Sequence, residues 1–117
     1  MRALTSHKVD GLNQELVVSV RDEPGCGGAC HDYLIASLDV LCEIRFQNGP
    51  IQEVGVNGVS NEALLAIVED RLLGFQSGEF SCRENVVALT KLQEAMMWLQ
   101  KRTRDRVARG VEGTTKK

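Results

Sequence analysis

Aromatic side chains are scarce in this chain of 117 residues, which has three Phe, one Tyr and one Trp. A single domain of this length has few rings with which to fill a modest core, so an oligomer interface would help to stabilise it. An excess of charge of one sign is also missing, since 14 Lys and Arg stand against 16 Asp and Glu, a net of −2. Proteins that coat nucleic acid show their cationic character across the whole domain, and this one does not. No run of about eighteen apolar residues occurs, which excludes a membrane-spanning helix, and residues 1–10 have no apolar segment of secretory type. The composition predicts a soluble intracellular protein.

Catalytic equipment is equally sparse. The two histidines, His7 and His31, lie in unrelated contexts, and Glu62, Glu69 and Asp70 read as the polar face of a helix. No positioned carboxylate pair or activated nucleophile emerges, so no enzyme and no cofactor is expected. Cys26, Cys30, Cys42 and Cys82 are unevenly spread and are expected as free thiols. Cys26, Cys30 and His31 are zinc-type ligands, but their C-x3-C spacing has no second pair at a matching interval. The glycines at 25, 27 and 28 are not followed by the Gly-Lys-Ser/Thr ending of a phosphate loop. That segment reads as a turn between strands rather than a lid or an anion cradle. There is no internal repeat and no low-complexity tract.

What the chain does have is one long amphipathic segment, residues 81–109. Ser81 and Glu84 match a capping box, and Leu89, Leu92, Met96 and Leu99 recur at intervals of three and four. The end of the segment carries Lys101, Arg102, Arg104, Arg106 and Arg109 against Asp105, before Gly110 stops the helix. Cations there complement the helix dipole, which is one explanation for them. Another is ligand binding: Arg102, Arg106 and Arg109 project from one side, and a row of guanidinium groups suits phosphates.

The first half of the chain reads as strands and the second as helices, which predicts an α+β fold. Residues 14–21, 33–38 and 40–47 read as strands, and Asn48-Gly49-Pro50 as a turn from which residues 51–56 return as an antiparallel partner. Ser60 is the expected N-cap of a first helix with Leu64, Leu65, Val68 and Leu72 on its apolar face and Gly74 at its C-cap. The connector Phe75-Gln76-Ser77-Gly78-Glu79-Phe80 makes this helix an antiparallel neighbour of the long one. The expected organisation is one domain: a small antiparallel sheet over residues 1–59, a helical hairpin over 60–110 and a frayed tail over 111–117.

The segment FQNGPIQEVGVNG, continuing through NEALLAIVEDRLLGFQSGEFSCRENVVALTKLQEAMMWLQKRTRDRVARGVEG, closely resembles the phage Thoeris anti-defence sponge family of the first-described type. The resemblance implies a non-enzymatic protein of the host bacterial cytoplasm that sequesters cyclic ADP-ribose isomers and so silences Thoeris immunity. It also implies that some members hold cyclic di- or trinucleotides of CBASS defence in separate pockets. Carried over residue by residue, the ligand-binding positions are Phe75 in GFQSG, Asn85 in RENVVALTK, Arg102 in WLQKRTRDR and, with divergent flanks, Arg21 in SVRDEPG. Arg104, Arg106 and Arg109 are candidates for a second nucleotide site.

These residue types suit the ligand independently of the family. An adenine face, ribose hydroxyls and a pyrophosphate call for a ring, amides and guanidinium groups. Each residue also has a plainer explanation: Phe75 as core beside Gly74, Asn85 as a solvator of the helix start, Arg102 as a surface cation. Asn85 and Arg102 lie about 25 Å apart along one helix, at 1.5 Å per residue, so one small ligand cannot touch both within a single chain. If both line one pocket, a second chain must lie antiparallel along the stripe from Leu89 to Leu99. The expectation is a homodimer with two equivalent interface pockets, open to further assembly into hexamers, and with neither membrane nor DNA as partner. The rival readings are a small DNA-binding regulator and an enzyme degrading the same signal.

Overall fold

The computed structural model describes Met1–Lys117, and the chain divides into two compact units, Met1–Val59 and Ser60–Lys117. Four strands form the first: β1 (Arg2–Leu4), β2 (Val17–Val20), β3 (Asp32–Ala36) and β4 (Leu41–Arg45), antiparallel throughout and ordered β1-β2-β3-β4. Val20 lies opposite both Arg2 and Tyr33, and Tyr33 lies opposite Ile44, so the sheet's register brings these residues into one row. Val20 is the most deeply buried apolar side chain, 1% exposed. Tyr33 packs edge-to-face on Phe46 with ring centroids 5.6 Å apart.

Three expectations for this unit are corrected. Residues 12–15 form a helical turn, α1 (Leu12–Glu15), in place of the first part of a strand. Residues 2–4 form a strand where none was expected. The return strand over 51–56 is absent; Pro50 opens a single turn, α2 (Ile51–Val54), and Gly55 ends it at φ 75°, where its amide donates to the Ile51 carbonyl. The chain rejoins the sheet only at Val59, which forms a parallel bridge with Phe46. Side-chain amides hold this loop closed. Gln47 Nε2 donates to the Gly55 carbonyl at 2.8 Å, and Asn57 both accepts from the Asn48 amide and donates to its carbonyl at 2.8 Å. Gly58 passes so close to the strand that a Cβ there would lie 2.4 Å from the Phe46 carbonyl carbon.

The second unit is the expected hairpin of α3 (Asn61–Gln76) and α4 (Arg83–Ala108). Ser60 caps α3 as its sequence predicts, its hydroxyl accepting from the Ala63 amide at 3.1 Å. Gly74 does not end the helix. α3 continues to Gln76, and Ser77 stops it by donating its hydroxyl to the Gly74 carbonyl at 2.8 Å. Nor does Ser81 cap α4: the N-cap is Cys82, whose amide donates to Gln76 Oε1 at 3.1 Å while Gln76 Nε2 returns a bond to its carbonyl at 3.3 Å. One glutamine thereby fixes the turn between the helices.

On α4 the positions withdrawn from solvent are Asn85, Leu89, Leu92, Met96, Leu99, Thr103 and Arg106, alternating at four and three residues. On α3, Glu62, Leu65, Glu69, Leu72 and Gln76 follow the same rhythm, as facing helices packed along a shared seam require. The α4 stripe therefore meets α3 within one chain. Its leucines remain only half-buried, because two helices alone cannot cover both sides of such a stripe.

α4 ends in a Schellman motif. Gly110 takes φ 73°, its amide donates to the Val107 carbonyl, and the Val111 amide donates to the Arg106 carbonyl, both at 3.0 Å. The tail expected to fray instead folds back as a hook, with Val111 buried and the Thr114 amide donating to the Val111 carbonyl at 3.2 Å.

Candidate functional site

The cationic end of α4 borders an open cavity of about 510 Å³. Trp98, Lys101, Arg102, Asp105, Arg106 and Arg109 line it from the helix, and Lys117 reaches it from the hook. The helix periodicity explains the cluster, since Trp98, Arg102, Asp105 and Arg109 are spaced at four, three and four residues and share one side. Trp98 is 64% exposed, a large ring with no covering partner in the chain. Asp105 is the only acid among the lining residues and is paired with Lys101 Nζ at 2.7 Å. The rest of the lining is left with a surplus of positive charge beside a free aromatic face. Such a surface accepts an anion attached to a planar ring.

Arg106 plays a different part from its neighbours. Its guanidinium donates to the carbonyls of Lys116 at 2.7 Å, Val111 at 2.9 Å and Thr114 at 3.1 Å, and pairs with the Glu112 carboxylate at 3.4 Å. Although expected among the ligand-contacting cations, it is spent on the hook. Arg109 lines the cavity and also donates to the main-chain oxygen of Lys117. Arg104 is exposed and lies outside the lining.

The other expected site residues are more dispersed. Phe75 is half-buried near the end of α3, with the Arg71 guanidinium 5.0 Å from its ring centroid. Asn85 is half-buried in the first turn of α4, far along the same helix from Arg102. Within one chain, then, Phe75 and Asn85 belong to the connector end of the hairpin and Arg102 to the other. Arg21 lies in the sheet unit just after β2, with Nε and Nη2 on Asp32 Oδ1 at 3.0 and 2.7 Å and Nη1 on Glu43 at 3.5 Å. The Asp32 hydrogen bond, supplemented by Glu43, raises its already high pKa.

The turn over residues 22–31 is organised by a carboxylate. Asp22 accepts the His31 amide at 2.9 Å and the Asp32 amide at 3.1 Å, and these bonds, the His31 one foremost, hold its pKa below the ordinary value. Cys26–Gly28 forms a 3-10 turn, and the His31 ring bonds to the Cys26 carbonyl at 3.1 Å. All four cysteines are free thiols, and no three His, Cys, Asp or Glu side chains gather as a metal would need. No helix is long and apolar enough to cross a membrane.

Sequence reasoning named Lys101 among the cations at the end of α4 without assigning it to the site, and it missed Trp98 and Lys117. Trp98 was detectable from its four-residue spacing to Arg102. Lys117 was not, because only the hook brings it there.

The profile of the Acb2/Tad1 hairpin domain matches residues 38–104, a span that takes in α3 and most of α4. The chain belongs to the Acb2/Tad1 hairpin family. A relative within reach of this assignment is Thoeris anti-defense 1 of Bacillus phage SBSphiJ7, 58% identical over 77 residues, which are 66% of this chain and 54% of that protein. The chain thus matches about half the length of that curated relative. The family's hairpin is the unit that carries Phe75, Asn85, Trp98 and Arg102.

Proposed function

We propose that this chain is a phage anti-defence protein that captures cyclic ADP-ribose isomers in the host bacterial cytoplasm and holds them intact, depriving Thoeris immunity of its signal. The observation that carries this reading is the cavity of about 510 Å³ at the end of α4, where Trp98 adjoins Arg102, Lys101, Arg109 and Lys117. Its volume falls in the range of small-molecule sites, and its chemistry matches a base joined to a pyrophosphate. The 58% identity to Thoeris anti-defense 1 supports the biological setting.

In this reading the binding residues are Arg21, Phe75, Asn85 and Arg102, and the working form is a homodimer. Two features support the dimer. The stripe Leu89, Leu92, Met96 and Leu99 is only half-covered by α3, and a second hairpin would complete a four-helix bundle around it. Asn85 and Arg102, at opposite ends of α4, meet around one ligand only when a second α4 runs antiparallel to the first. The pocket is then shared between protomers, and enclosure between them gives the slow release that sequestration demands. A further site for cyclic di- or trinucleotides, through which the protein would also blunt CBASS, is assigned to Arg104, Arg106 and Arg109 together, although Arg106 also holds the hook and Arg109 also lines the cavity.

Capture without turnover fits a site built from cations, an amide and rings, the groups that hold a base and a pyrophosphate. Calorimetric titration with a panel of cyclic ADP-ribose isomers, followed by heat release and chromatography of the ligand, tests the reading. Tight binding with intact recovery is expected. A ligand returned cleaved would make the protein an enzyme, and binding by a strictly single chain would remove the shared pocket.

A further inference from the structure

Arg106 is the one buried charged residue of the molecule, 8% exposed. A guanidinium removed from water must find acceptors, and this one finds them in the carbonyls of Val111, Thr114 and Lys116 and the carboxylate of Glu112. All lie in the hook. With its donors so engaged, Arg106 has little left to offer a ligand, although it sits among Arg102 and Arg109 on the helix. Three residues on, Arg109 ties the end of the hook, the main-chain oxygen of Lys117, back to α4. These contacts bring Lys117, fifteen positions beyond Arg102 in the chain, into the same lining.

We propose that Arg106 is a positioning residue: by pinning the hook it holds Lys117 and Arg109 at the rim of the cavity. There, with Lys101 and Arg102, they accept a pyrophosphate-type anion whose planar base lies against Trp98. The identity of the natural ligand rests on the function proposed above; the pinning does not. The hook is more than a helix cap, because it adds a cation, Lys117, that the helix itself cannot supply. An ammonium cannot replace the guanidinium here, because three donors on one nitrogen cannot serve the three carbonyls and the carboxylate that the guanidinium reaches from three separate nitrogens.

The test uses the full chain and its single tryptophan, whose emission reports on the cavity, with inorganic pyrophosphate as the probe. Arg106→Met is expected to speed amide exchange at Val111 and Thr114 and to weaken pyrophosphate binding about tenfold, the scale of one lost charged hydrogen bond. Arg106→Lys should not restore binding. Lys117→Met should weaken binding about fivefold with the hook still protected, on the same scale. The double variant should be no weaker than Arg106→Met alone, since an unpinned hook has no Lys117 placement left to lose. Gly110→Val, which is strained at φ 73°, unlatches the hook without touching Arg106 and should reproduce the loss. It serves if Arg106→Met fails to fold. Additive losses in the double variant, a released hook with unchanged affinity, or a wild-type chain that ignores pyrophosphate would each overturn the proposal. Wild-type protein that binds pyrophosphate but no cyclic ADP-ribose isomer would overturn the proposed function and leave the role of Arg106 standing. Capture of the cyclic isomer with affinity indifferent to Arg106, Gly110 and Lys117 would overturn this inference alone.

Discussion

The sheet unit and the hairpin unit treat their arginines in opposite ways. In the sheet, Arg21 and Arg45 share the same two acids, Asp32 and Glu43, at separations between 2.7 and 4.0 Å. At the end of α4, Lys101, Arg102, Arg109 and Lys117 line a cavity whose one acidic side chain, Asp105, is paired with Lys101. Balanced charges satisfy one another and add little stability when exposed. Unbalanced ones repel, and a protein retains such a cluster at a cost that a bound anion offsets. Cations short of acids, beside an uncovered ring, can take an anion without giving up a partner, whereas Arg21 would have to share its guanidinium between Asp32, Glu43 and a ligand.

The largest expected effect that sharpens this contrast is on stability and belongs to the sheet unit. Gly58→Ala would drive a methyl group into the Phe46 backbone, 2.4 Å away, and overpacking of this kind costs about 3 kcal/mol. A lowered urea midpoint checks it. Next comes Arg102→Ala, expected to cost about 2 kcal/mol of ligand binding, roughly thirtyfold, as loss of a charged hydrogen bond does. Arg102 is exposed, so its melting temperature should stay near that of the wild type. A large thermal loss there would break the distinction between structural and ligand-facing arginines. Phe75→Ala should weaken ligand binding by about 1 kcal/mol, roughly the worth of one aromatic contact, measured by the same titration.

The smallest effect is on acid stability. Asp22 has its carboxyl pKa lowered in the folded state by the His31 and Asp32 amides. Its contribution is therefore complete above the unfolded carboxyl value of 3.8 and is lost as pH falls through the lower folded value. Asp22→Asn should flatten that part of a melting-temperature profile taken from pH 5 downward. An unchanged profile would remove the carboxylate from its role in the turn.

Much of this architecture was legible in residue patterns. Alternation gave β2 and β4, Ser60 announced α3, and the stripe from Leu89 to Leu99 announced α4 because a helix must bury such a stripe. The failures share a cause: each turned on a side chain meeting backbone that was distant or not yet built. Gln76 claims Cys82 and so bypasses the capping box at Ser81 and Glu84. Pro50 and Gly55 bracket one helical turn where the apolar residues 51, 54 and 56 suggested a strand. Arg106 looked like one of a row of free cations because its partners are carbonyls that converge only after Gly110 reverses the chain. At the candidate site, the base-and-phosphate chemistry of Arg102 was visible in its segment, while the contribution of Lys117 required the fold.

The inward face of α4 is polar at both extremities, Asn85 at one and Thr103 with Arg106 at the other, with leucines and a methionine between. Sliding the two helices past each other by one turn would set an amide or a guanidinium against hydrocarbon, so the pair has a single alignment. Asn85 and Arg102 are therefore each held at one fixed height along α3, and the two ends of the hairpin present their polar groups at settled positions.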